Sequence, residues 1–125
     1  MITVRDNWKA AFEGSSRAEV EKLLPDFLTA SRWFGGKAKT IRSAKLADVL
    51  QQEHGDGTMV LTLIDVSYVE GGADRYTLPM TVAFDTEAER IKHDYPRTII
   101  GALTVLQHGT ALAGILYDAL WCPDC

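Results

Sequence analysis

A chain of 125 residues with 46% hydrophobic and 24% charged residues is long enough for one hydrophobic core, and its composition excludes wholesale disorder. The formal net charge of −4 argues against broad binding to nucleic acid or to an anionic membrane. No apolar run approaches membrane-spanning length, and Met1 to Lys9 lacks the basic-then-apolar order of a signal peptide, so the cytoplasm is the expected compartment.

Residues 7–31 read as helical. Trp8, Ala11 and Phe12 fall at helical spacing, and Gly14 ends that short segment. Ser16-Arg17-Ala18-Glu19 has the form of a capping box, which predicts a helix starting at Arg17. Val20, Leu23, Leu24, Phe27 and Leu28 then make an apolar stripe. Pro25 removes an internal hydrogen bond and predicts a kink or a restart.

Arg32-Trp33-Phe34-Gly35-Gly36-Lys37 follows, where the chain must reverse. Adjacent aromatics cannot share one face, so one ring is expected in the core and the other against a neighbouring element, with the glycines allowing positive φ or close approach. These six residues are the candidate structural corner or interface. Lys37 and its glycines do not make a phosphate loop: Ser31 stands where the first glycine belongs, Ala38 where a hydroxyl must reach magnesium, and a helix precedes instead of a strand.

Beyond the corner the period becomes strand-like. Strands are predicted at about 40–50 with one bulge or change of face, 58–69, 75–84, 97–106 and 112–118. Glu53 to Gly57, Gly71 to Asp74 and Gln107 to Thr110 supply the turns. Tyr76 to Phe84 alternates strictly, giving a dry face and a wetter one, and Pro79 points to an edge or a bulge. Thr86 to Asp94 is charged and reads as a loop or a short helical piece. The whole is one domain, 1–125, of α+β class: a curved antiparallel sheet of about five strands packed on the N-terminal helix, with a tail at 121–125.

Candidate chemistry is sparse. His54 and His108 fall in turns and His93 in a charged connector, none with a partner at metal or triad spacing. Asp65, Asp85, Glu87 and Glu89 are not locally arranged as acid and base, and Asp118 reads as a cap or turn residue. Cys122 and Cys125 can close a disulfide or give half of a tetrahedral zinc site, but with two cysteines at the terminus the working expectation is incidental thiols, no metal and no cofactor. No kinase-type His-x-Asp loop or Asp-Phe-Gly metal segment occurs, so no catalytic residue is expected.

The corner, preceded by Leu23-Leu24-Pro25-Asp26-Phe27-Leu28 and followed by Tyr76-Thr77-Leu78-Pro79-Met80 and Leu116-Tyr117-Asp118-Ala119-Leu120, resembles the N-terminal cap domain of bacterial maltokinases. The resemblance implies a cystatin-like fold and a non-catalytic docking or regulatory module. Its partners would be the lobes of an ATP-dependent maltose kinase, in trehalose-to-glycogen metabolism, and some such kinases are fused behind trehalose synthase. At this length a two-lobed kinase cannot be present in the chain itself. The tail departs from the family, where another acidic residue and a proline lead into the kinase, which leaves an excised domain, a relic or a free-standing cap as expectations.

The alternative is a stand-alone cystatin-like binding module for protein or carbohydrate, with Trp8, Trp33 or Trp121 as a stacking platform. A protease-inhibitor role ranks behind it, because Gln51-Gln52-Glu53-His54-Gly55 puts an acid where an apolar wedge is needed. An open sheet edge would allow a homodimer.

Overall fold

The computed structural model describes residues 2–30, 39–54 and 57–119. A short strand, β1 (Ile2–Arg5), and a 3-10 turn (Trp8–Phe12) lead into α1 (Gly14–Ala30). The helix starts earlier than the capping box implied: the Arg17 N–H already bonds to the Glu13 carbonyl at 3.4 Å, so Ser16 lies inside it. Gly14, at φ +55°, opens α1 instead of merely closing the segment before it, taking a left-handed turn that costs glycine little. Pro25 lies within the single helix, so no restart occurs. Leu24, Phe27 and Leu28 around it are buried, and that packing offsets the missing hydrogen bond.

The sheet has six strands, completed by β2 (Ile41–His54), β3 (Gly57–Tyr68), β4 (Ala73–Phe84), β5 (Ile99–Gln107) and β6 (Thr110–Asp118), in the order β1-β5-β6-β4-β3-β2. All pairs are antiparallel except β1 with β5, which run parallel with Ile2 beside Leu103. The α+β class therefore holds, and the sheet is mixed, with one more strand than the five expected. Both edge strands touch α1, so the sheet curls around the helix.

Local chemistry accounts for most of the boundaries. β2 carries two irregularities, at Ile41/Ser43 and Leu46/Asp48, where one was expected. The hairpin of β5 and β6 turns on His108 (φ 49°) and Gly109 (φ 78°), the two left-handed residues that a type I′ turn requires. Arg97 and Thr98, expected in a strand, belong to a 3-10 turn started by Pro96, and β5 begins at Ile99. Gln51 to His54, read partly as turn and inhibitor loop, are paired strand residues reaching His54 opposite Gly57.

Pro79 is not on an edge strand, since β4 lies between β3 and β6. Yet β6 pairs with β4 only over Met80–Phe84, so Pro79 stands one residue outside that ladder, where a missing N–H is tolerated. The charged stretch after β4 is a full helix, α2 (Asp85–Asp94), with Asp85 and Glu87 in its first turn and Lys92 and His93 in its last, the polarity that suits the helix dipole. Ala88 and Ile91 of α2 pack on Ala83, Ile115 and Tyr117, on the sheet face turned away from α1. For that reason Thr81 and Ala83 are buried and the expected wetter face of β4 is dry at its end.

The main core lies between α1 and the concave face. Val20, Leu24 and Leu28 meet Val60, Ile64, Leu78, Met80 and Leu116, all essentially inaccessible to solvent. Close approach is purchased with glycine at two places: a Cβ on Gly101 would lie 2.5 Å from Leu23 of α1, and one on Gly114 would lie 2.6 Å from the Ala83 carbonyl and 2.6 Å from the Phe84 ring.

Candidate functional site

The sequence-derived candidates Arg32, Trp33, Phe34, Gly35, Gly36 and Lys37 lie outside the described residues, as do Cys122 and Cys125. From Lys39 onward the chain sits on a fixed frame. Lys39 Nζ sits 5.0 Å from the centre of the Tyr68 ring, a cation–π contact. The Thr40 N–H donates to both carboxylate oxygens of Glu70, at 2.9 and 3.0 Å, and the Thr40 carbonyl accepts from Val69 N–H at 2.9 Å. Tyr68 is itself held by its hydroxyl, which donates to Asp74 at 2.7 Å. Burial, reinforced by the bonds to Asp74 and Tyr76, pushes its ionisation well above the ordinary tyrosine range.

A second surface lies on the convex face. Leu50, Leu61 and Pro79 are directly opposite one another on β2, β3 and β4, forming an apolar cross-strand row. Leu50 is 47% exposed, and Leu61, Leu63 and Pro79 are half-buried. An ionic row bounds this patch, with Lys45, Asp65 and Arg75 in register. Arg75 Nε and Nη2 donate to the two Asp65 oxygens at 2.6 and 3.2 Å, and the bond from Arg75 holds the Asp65 carboxyl below its usual range. Sequence reading missed the patch, although β3 signalled it: Met59, Leu61 and Leu63 are apolar on the same strand as Val60, Ile64 and Val66, so both faces carry apolar residues.

A third feature joins α1 to the edge strand. Glu21 Oε2 accepts the Leu46 N–H at 2.7 Å, while Arg17 Nη2 donates to the Leu46 carbonyl. Leu46 thereby spends both edge-facing backbone groups on the helix. Two residues on, Asp48 Oδ1 takes the Val49 N–H at 2.8 Å. The centre of β2 is closed to a further strand.

The remaining candidates do not converge. His93 sits in α2 beside Asp94 at 2.8 Å, His108 is an exposed turn residue, and His54 ends β2. Asp65 is committed to Arg75 and Glu89 to Lys92, whereas Asp85 begins α2 in a left-handed conformation and Asp118 is buried at the end of β6. Among the described residues no group of three or more His, Cys, Asp or Glu is placed to hold a metal ion. No described helix is long and apolar enough to cross a membrane. Trp8 packs edge-on against Phe12, with ring centroids 6.2 Å apart.

A sheet curled on one long helix, with a second helix on its back and an apolar cross-strand row left on the surface, defines a small α+β domain. The maltokinase N-terminal cap domain family matches residues 27–121, and the chain belongs to that family. Comparison with curated proteins gave no match.

Proposed function

We propose that this domain is a non-catalytic docking or regulatory cap of an ATP-dependent, maltokinase-like sugar kinase working in the cytoplasm in trehalose-to-glycogen metabolism. The observation that carries the reading is the family match across residues 27–121, which implies association with a kinase part. Arg32, Trp33, Phe34 and Lys37 are the proposed organising or contact residues at the corner. The Leu50, Leu61 and Pro79 row is a second contact surface of suitable character, apolar at its centre and ionic at its rim. A homodimer through an edge strand belongs to the same proposal, and any pairing along β2 must start outside Leu46–Val49, where the edge is spent.

The test is a titration of separately produced kinase lobes of a maltokinase with this chain. Saturable binding that Leu61→Asp and Trp33→Ala each weaken supports the cap reading, with no phosphate transfer by the chain alone. Lobes that do not bind, or unaided phosphate transfer, overturn it.

The alternative, a stand-alone cystatin-like module, draws on the long hairpin of β2 and β3, paired from Ile41 opposite Tyr68 to His54 opposite Gly57. It predicts a change in tryptophan fluorescence with maltose or trehalose, or inhibition of a papain-like protease, and flat titrations in both remove it.

A further inference from the structure

A groove of about 340 Å³ runs between α1 and the outer edge of β2, with Lys22 and Pro25 on the helix side and Arg42, Ala44 and Lys45 on the strand side. Its cations are unspent. Lys22, Arg42 and Lys45 are exposed, and among the described residues none makes an ion pair. Two of the nearby acids are already engaged: Glu21 accepts the Leu46 N–H, and both oxygens of Asp65, opposite Lys45, are taken by Arg75. Such a cationic cluster in a chain of net charge −4 selects for a local negative partner.

The backbone narrows the choice. Strand hydrogen bonds alternate, so Ala44, two residues before Leu46, turns its N–H and C=O the same way, into the groove. The α1 side chains Arg17 and Glu21 occupy those groups at Leu46, and among the described residues no side-chain bond takes them at Ala44. The groove thus offers a donor and an acceptor side by side, walled by a helix and stopped at one end. An extended peptide matches that pair, whereas phosphate and nucleic acid backbones offer acceptors alone and are repelled by the overall charge.

We propose that an acidic, extended segment of a partner polypeptide adds to the edge of β2 at Ala44, with its carboxylates met by Lys22, Arg42 and Lys45. This proposal does not rest on the kinase-cap reading, because it concerns the chain on its own and the backbone edge of β2 at Ala44, with Lys45 alone shared with the rim of the Leu50, Leu61 and Pro79 patch.

The experiment is fluorescence anisotropy of this chain with a labelled peptide alternating Glu and Val, alongside its Gln-for-Glu counterpart, and amide NMR at Ala44. The acidic peptide should bind saturably, the Gln peptide about tenfold more weakly, and added salt should weaken the former. The combined Lys22→Glu, Arg42→Glu and Lys45→Glu variant, checked for native circular dichroism, should lose the acidic peptide, and the Ala44 amide should shift on binding in the unmodified chain. Equal affinity for both peptides overturns the proposal, as does binding that survives charge reversal. An unmoved Ala44 amide overturns strand addition. Displacement by pyrophosphate or an oligothymidylate at matched charge would mean a simple anion patch and overturns it too.

Discussion

Glu21 reaches from the half-buried flank of α1 to accept the backbone N–H of Leu46 at 2.7 Å, a bond spanning 25 positions of the chain. A charged acceptor on a partly buried amide is among the stronger hydrogen bonds, and its loss leaves a strand donor unanswered. Glu21→Ala should cost about 1–3 kcal/mol in denaturant unfolding. It should also increase concentration-dependent association in light scattering, because the edge is uncovered. Glu21→Gln, which keeps an acceptor oxygen, should be milder on both counts.

The two tight glycines should respond unequally. At Gly101 the obstacle is the end of the Leu23 side chain, which can move, so Gly101→Ala should cost about 1 kcal/mol and be relieved by Leu23→Ala in the same chain. At Gly114 the obstacle includes the Ala83 carbonyl, which is fixed in the sheet, so Gly114→Ala should cost about 3 kcal/mol or more. Thermal and urea unfolding of the single variants and the double variant give the comparison.

Arg75 holds the Asp65 carboxyl below its usual range, so the contribution of this pair is present above the ordinary carboxylate pKa of about 4 and fades as pH falls through the lower folded-state value. A carboxyl-detected NMR titration should show Asp65 moving up toward the ordinary range in Arg75→Gln and in high salt. The pair is solvent-exposed, and its removal should change global stability little.

Tyr68 has the opposite sign. Its folded-state pKa is raised, so its contribution is whole below about pH 10 and is lost as the pH climbs from there toward the folded value. Tyr68→Phe should flatten that part of the alkaline stability profile. In an ultraviolet titration of the native chain Tyr68 should ionise well above the ordinary tyrosine range, and that step should be missing in Tyr68→Phe.

What could be read in advance was what short-range chemistry encodes. His108-Gly109 specified its own turn, the apolar stripe from Val20 to Leu28 marked the buried face of α1, and the regular alternation through Tyr76 to Phe84 located β4. The parts that escaped depend on partners remote in sequence. β1 has four residues, and its strand character comes from lying beside Leu103 to Leu106. α2 offers only Ala88 and Ile91 as buried residues, too few for a clear helical period, and its place is set by Ala83, Ile115 and Tyr117. Nor can a sequence say that Leu46 turns its amide toward α1, so nothing in advance matched Arg17 and Glu21 to it. Arg32 to Lys37 was the most conspicuous motif and lies outside the described residues, which resume at Lys39 and Thr40.

The parallel ladder between β1 and β5 carries a consequence for synthesis. Ile2 leaves the ribosome about a hundred residues before Leu103 and cannot find its neighbour until Leu103 has followed, with almost the whole domain made in between. Closing so distant a pair costs chain entropy, so the opening residues should join late, after the later strands have assembled. A nascent chain halted before β5 would carry Ile2 and Val4 without their shelter, a state that quality-control factors can detect.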